Sequence, residues 1–172
     1  MEDVLINKDF EGLKQIKNGD YIFQGDIKAE GNIKIELDDR LVISGSLIAG
    51  CGIEAGSGIE AGRGIEAGDG IKAGWGIEAG RGIKAGDGIE TGDGIKAGDG
   101  IETGGGIKAG SSICCKGVLK FSYRLFAGVC CWRKDLTDAD KTITCGRIET
   151  EGTIEYGILH ETGIKEETNC RN

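Results

Sequence analysis

The chain has 172 residues, of which 33 are glycine and none is proline, and only 5% are aromatic. An apolar share of 38% with so few large rings does not fill a thick globular core, though the length suits one domain or one solenoid with its ends covered. The net charge of −8 argues against nucleic-acid binding through the phosphate backbone, which needs clustered Lys and Arg.

The opening Met1-Glu2-Asp3 carries no basic segment, and no apolar run approaches the ~18 residues of a membrane span. Neither a signal peptide nor a membrane partner is expected, and the default compartment is the cytoplasm. Residues 1–22 follow no repeat and read as an N-terminal cap. Phe10, Leu13 and Ile16 recur every three residues behind Asp9, a candidate N-cap, which predicts a short helical turn or an irregular segment closing the first coil. An oligomer contact is the functional alternative for this segment. From Tyr21 to Ser46, the alternations Ile27/Ala29, Ile33/Ile35 and Val42/Ser44 read as strands of a first, less regular part. Glu36–Arg40 is expected to form a small loop leaving it.

Residues 52–111 are ten consecutive copies of Gly-Ile-(Glu/Lys)-(Ala/Thr)-Gly-x. In an extended chain the Ile and the Ala or Thr share one face and the charged residue takes the other. Two glycines around a polar residue then make a corner, on the expectation that glycine supplies backbone angles other residues avoid. Glycine at a third of positions excludes a helix. Glycine gaps alternating between two and four, without proline, exclude collagen. Short strands joined by regular corners wind into a β-solenoid, whose coils pair about 4.8 Å apart.

The charges choose the coil. With two units per coil, residues twelve apart stack, and seven of the eight neighbouring charge pairs repel. With three units, residues eighteen apart stack, giving Glu54-Lys72-Glu90-Lys108, Glu60-Glu78-Lys96 and Glu66-Lys84-Glu102, and six of seven pairs attract. At roughly 0.2–1 kcal/mol per directly opposed pair, the second arrangement wins by several kcal/mol. The fold class is therefore all-β, a three-sided solenoid of about eighteen residues per coil, spanning 23–112.

After Ile113 glycine thins out and Val118, Leu119, Phe121, Tyr123, Leu125, Phe126, Val129 and Trp132 arrive together. Residues 113–165 are expected to form a wider, β-rich capping or interaction region over the open end. Leu136–Lys141 is a polar connection, Thr142–Glu149 and Thr153–Glu161 are two further strands around a turn at Gly152, and 166–172 is a disordered tail.

The chemistry-bearing residues are few. Seven cysteines include the pairs Cys114-Cys115 and Cys130-Cys131, but no Cys-x-x-Cys knuckle, and neighbours in a strand point to opposite faces. Inward cysteines then act as small apolar core residues, so no metal and no cofactor is expected. His160, the single histidine, could pair with a tail cysteine only if the fold brings both to one face. The glycine spacing matches neither the dinucleotide nor the phosphate-loop fingerprint. No catalytic or small-molecule site is expected. Trp75, which interrupts the polar corner positions, either anchors a partner or lies over the neighbouring corner. Trp75, Tyr123 and Trp132 are the candidate partner contacts.

The alternation in 24-QGDIKAEGNIKIELDDRLVISGSLIAG-50 resembles that of the bactofilins, polymer-forming bacterial cytoskeletal β-helices, and the resemblance runs over roughly residues 24–115. It implies a triangular solenoid that associates end to end into filaments without enzymatic activity. The chain departs from the hexapeptide-repeat acyltransferases, which carry a small residue four after the aliphatic one. Here that slot holds Ser57, Arg63, Asp69, Trp75 or Asp87, and the repeat has no histidine. The tail, from SSICCKGVLKFSYRLFAGVCCWR at Ser111 onward, resembles the carboxy-terminal part of uncharacterised proteins of Firmicutes and their mobile elements, a likeness that implies no activity. These readings converge on a non-enzymatic scaffold or polymer-forming solenoid whose partner is another copy or a protein. An acidic interaction or inhibitor protein, in the manner of a nucleic-acid mimic, is the alternative. An acyltransferase-like enzyme is the second alternative.

Overall fold

The computed structural model describes residues 1–130 and 132–163, so the tail at 166–172, with Cys131 and Cys170, lies outside it. Each repeat unit is a three-residue strand and a three-residue corner, and successive units fall on three different faces. The first face holds eight strands, from Val4–Ile6 to Thr153–Tyr156. The second holds nine, from Lys14–Gln15 to Ile158–Glu161. The third holds seven, from Ile27–Ala29 to Arg147–Thr150. Every pairing is parallel except that of Lys14–Gln15 with Tyr21–Phe23. The all-β, three-sided solenoid of about eighteen residues per coil is the structure of this chain.

The register is the one the charges select. Lys72 sits between Glu54 and Glu90 on the first face, Lys84 between Glu66 and Glu102 on the third, and Glu78 between Glu60 and Lys96 on the second. Coulombic attraction becomes contact at Lys96–Glu78 (2.9 Å), Lys108–Glu90 (2.8 Å) and Lys120–Glu102 (2.9 Å). The column's one repulsive step, Glu60 over Glu78, is relieved from outside the repeat. Arg40 reaches Glu60 at 2.8 Å and Asp20 at 2.9 Å. The loop 36–40 adds two residues to the first coils, which pair Lys34 with Glu54 and Val42 with Ile22 at a separation of twenty. Its Leu37 turns back into the core.

Inside the tube, each coil contributes one Ile and one Ala or Thr per face, and these are almost wholly buried. A buried Ile contributes about 1.5–3 kcal/mol, against about 1–2 kcal/mol for ordering each residue, so one coil cannot stand alone and stacking supplies the difference. The two inward threonines find partners at the corners: Thr91 Oγ1 donates to the Asp93 carbonyl at 2.6 Å, and Thr103 Oγ1 donates to that of Asp87.

Three expectations change. First, the corner glycines are not needed for their backbone angles. The glycines with positive φ among the described residues are Gly12, Gly19, Gly25, Gly128, Gly157 and Gly163, all outside the ten units. What excludes a side chain at the fifth position of a unit is the coil beneath. A Cβ on Gly86 would lie 1.8 Å from the Gly68 carbonyl oxygen, and one on Gly98 would lie 2.0 Å from that of Gly80. The first position of a unit is looser, with such contacts at 2.6–3.4 Å, and at the equivalent places Ser46 and Ser112 replace glycine.

Second, of the two forms expected near the start of the chain, the irregular segment is the one found and the helical turn is not. Val4–Ile6 joins the first face beside Ile33–Ile35, and the rest is a run of turns ending in the short antiparallel pair. Asn7, rather than Asp9, caps the turn, accepting the Asp9 N–H at 3.0 Å through its side chain. Phe10 packs on Phe23 with ring centres 5.7 Å apart.

Third, the region after Ile113 is no separate cap. Val118–Phe121, Arg124–Ala127 and Thr142–Cys145 continue the third, first and second faces in parallel. Residues 128–130 and 132–141 belong to an excursion between coils, and Arg147–Thr150, Thr153–Tyr156 and Ile158–Glu161 make a final turn. The larger Phe121 and Leu125 fill the tube there, and the register of the first face shifts between Leu125 and Phe126.

Candidate interaction surfaces

Trp75 and Trp132 lie along one edge. Trp75 occupies the corner between the first and second faces, in the file Ser57, Trp75, Asp93, and its carbonyl accepts the Asp93 N–H at 3.4 Å. Trp132 arrives from the 128–141 excursion and lies over the next corner, its Cη2 2.5 Å from where a Cβ on Gly92 would sit. The indoles stay 51% and 59% exposed, and Trp132 is a ring that covers a neighbouring corner. Beside them a depression on the second face gathers Trp75, Glu78, Lys96, Arg133 and Asp140. The Thr137 backbone N–H and hydroxyl donate to Asp140, and with Arg133 at 2.8 Å they hold its carboxyl down to about 2. This fixes the base of the excursion.

Tyr123 goes elsewhere. It stacks over Gly105 at the corner between the third and first faces, 69% exposed. Tyr123 and Trp75 therefore stand on opposite borders of the first face. Along that face runs a shallow trough, open to solvent, from Asp3 and Leu5 at one end to Tyr123 and Phe126 at the other. Its floor is the outward column Lys34, Glu54, Lys72, Glu90 and Lys108, with Leu5 and Phe126 at the ends. Lys108 holds the Glu90 carboxyl below its usual range, and Lys120 does the same for Glu102 on the third face.

Leu5 and Arg40 are the surface residues the sequence concealed. Leu5 pairs with Lys34 across 29 residues, so no local spacing announces it. Arg40 sits in a loop whose only readable signal is a positive charge one coil before Glu60.

The reactive side chains are dispersed. Cys115 and Cys145 lie inward at corresponding places on successive coils of the second face, fully buried, as small core residues. Burial and the neighbouring Cys145 push the Cys115 thiol up to about 12, and burial with nearby Glu161 lifts Cys145 to about 11. Both stay protonated and inert at neutral pH. Cys114, on the outer side of the same strand, is disulfide-bonded. His160 stacks over Thr144 on the outer side, whereas Cys145 points in, so a dyad between them is not assembled. Among the described residues, no three His, Cys, Asp or Glu side chains gather as metal ligands, and no helix is long and apolar enough to cross a membrane.

No family model matches the chain, and comparison with curated proteins and with solved structures returned no match. The class defined by the fold is that of the parallel β-solenoids.

Proposed function

We propose that this chain is a non-enzymatic structural protein, a scaffold that associates with further copies of itself. The observation that carries the reading is the continuity of its ladders. Parallel pairing runs along all three faces, apart from the short antiparallel pair that opens the second, and among the described residues the strands Arg147–Thr150, Thr153–Tyr156 and Ile158–Glu161 have a neighbour on one side only. Such strand edges are templates for another chain. The apolar residues of that last turn, Ile148, Ile154 and Leu159, are also less buried than their counterparts lower in the tube. The bactofilin-like alternation of residues 24–50 supports the polymer-forming version of this role.

Negative-stain imaging of the purified chain tests it. Filaments or end-joined rods are the expected outcome, and a field of single short particles at every concentration would contradict it. Trp75 and Trp132 on one edge favour a second reading, an acidic protein that binds another protein. That reading predicts single particles that become a discrete complex with one co-purifying partner, lost in a Trp75→Ala, Trp132→Ala variant.

A further inference from the structure

We propose that the first face is a lateral contact between two copies of this chain, packed side by side with their coil axes antiparallel. It deepens the self-association reading by naming a second copy as partner, but uses a side of the solenoid rather than an end.

The sign pattern along the trough carries the inference. Read along the axis, the outward column is Leu5, then Lys34, Glu54, Lys72, Glu90 and Lys108, then Phe126. A two-fold axis that keeps the coil axes parallel sets each residue against itself, Lys72 on Lys72 and Glu90 on Glu90, and every charged level repels. A two-fold axis running along the strands, between the levels of Lys72 and Glu90, does the reverse. Lys72 then faces the second copy's Glu90, and Glu54 faces its Lys108. The symmetry repeats both, so four opposite-charge contacts form. One level further out, Lys34 meets the Phe126 ring. At the last level Leu5, 48% exposed, meets the Glu155–Tyr156 step, where the register against Phe126 shifts; Tyr156 is 43% exposed, with the Lys141 ammonium 5.8 Å from its ring. Leu5 and the Phe126 ring therefore flank a charge-matched block at its two ends.

The other faces lack this combination. On the third, the column runs to Lys28 and Glu149, charged at both ends. On the second, Glu60 and Glu78 adjoin, and the column continues from Lys96 to the uncharged Cys114 and Thr144. Tyr123 and Trp75, on the borders of the first face, widen the surface available to a second copy.

Size sets the strength. Eight strands at about 4.8 Å spacing make a face about 34 Å long, and three-residue strands with their corners make it about 15 Å wide. Each copy then covers on the order of 500 Å², so the pair buries about 1,000 Å² in total, the low end for a specific contact. The dimer should be concentration-dependent and weakened by salt.

Zero-length carbodiimide cross-linking of the full chain, followed by peptide mass spectrometry of the dimer band, tests the geometry. The diagnostic product joins Glu54 to Lys108. Within one chain these lie three coils apart, about 14 Å, beyond the reach of a direct amide bond. The expected result is that link in the dimer band, suppressed at about 1 M salt. The double variant Glu54→Lys, Glu90→Lys, which makes the charged column wholly cationic, should weaken dimerisation at least tenfold with an unchanged circular dichroism spectrum. A dimer band without the Glu54–Lys108 link, or a dimer indifferent to the double variant, would overturn the proposal. Filaments persisting under either result would leave end-to-end stacking standing, whereas a monomer at all concentrations would overturn both.

Discussion

Replacing Gly86 by alanine asks whether coil-to-coil contact, rather than backbone freedom, makes glycine obligatory at the corners. The added Cβ would stand 1.8 Å from the Gly68 carbonyl oxygen, more than an ångström inside the closest approach such atoms tolerate. The obstacle is backbone on both sides, so no rotamer change relieves it. The corner must open by about a quarter of the ~4.8 Å coil spacing. That opening pulls on the hydrogen bonds from Gly86 N to Ala67 O (3.0 Å) and from Asp87 N to Asp69 O (3.2 Å). Overpacking costs about 1–3 kcal/mol and each weakened hydrogen bond about 1 kcal/mol, so a loss of about 3 kcal/mol or more is expected. Gly56 is the internal control. It holds the same place in its unit, but the wider loop 36–40 lies beneath it and nothing comes within 4 Å of its would-be Cβ. Gly56→Ala should be neutral or stabilise by about 0.4–1 kcal/mol, through the unfolded chain. Urea unfolding followed by circular dichroism compares the two. Equal effects of Gly86→Ala and Gly56→Ala would refute the steric argument.

Other outcomes follow from the same structure. Ile65→Ala, at a fully buried position, should cost about 2–5 kcal/mol in urea unfolding, while Ile158→Ala on the exposed last strand should cost far less. Arg40→Ala removes the cation shared by Asp20 and Glu60 and leaves Glu60 over Glu78 uncompensated; a loss of about 1 kcal/mol, shrinking as salt is added, is expected by the same assay. Iodoacetamide should modify Cys51 in the native protein and leave Cys115 and Cys145 intact until denaturant is added, read by mass spectrometry. Those two thiols also make stability fall on the alkaline side. The folded chain keeps their protons up to about 12 and about 11, while the unfolded chain releases them near pH 9. Their contribution is complete below pH 9 and declines above it, by up to about 1.4 kcal/mol per pH unit per thiol. The Cys115→Ala, Cys145→Ala variant should show a shallower alkaline decline in urea midpoint.

The tube was readable because its rule is local and repeated. Ile and Ala two apart fix the inner face, and the signs of Glu54, Lys72, Glu90 and their neighbours choose eighteen residues over twelve. The reason for the glycines was misread, since a six-residue pattern says nothing of what lies eighteen residues below. The end of the tube was harder still. Ile143, Ile148, Ile154 and Leu159 line the later coils at uneven spacings, because single-residue corners at Gly146 and Gly157 shorten the units, so the region looked like a different sheet. Of the surface residues, Trp75 and Trp132 stood out by composition. Their placement along one edge depends on the excursion that carries Trp132, and the trough of the first face depends on Leu5, brought in from a segment outside the repeat.

Size-exclusion chromatography of the full chain with multi-angle light scattering, over a range of loading concentrations, tests the central claim of self-association most directly. A mass that climbs with concentration through multiples of 18.0 kDa is the predicted result. A single species of one chain's mass at every concentration would contradict it.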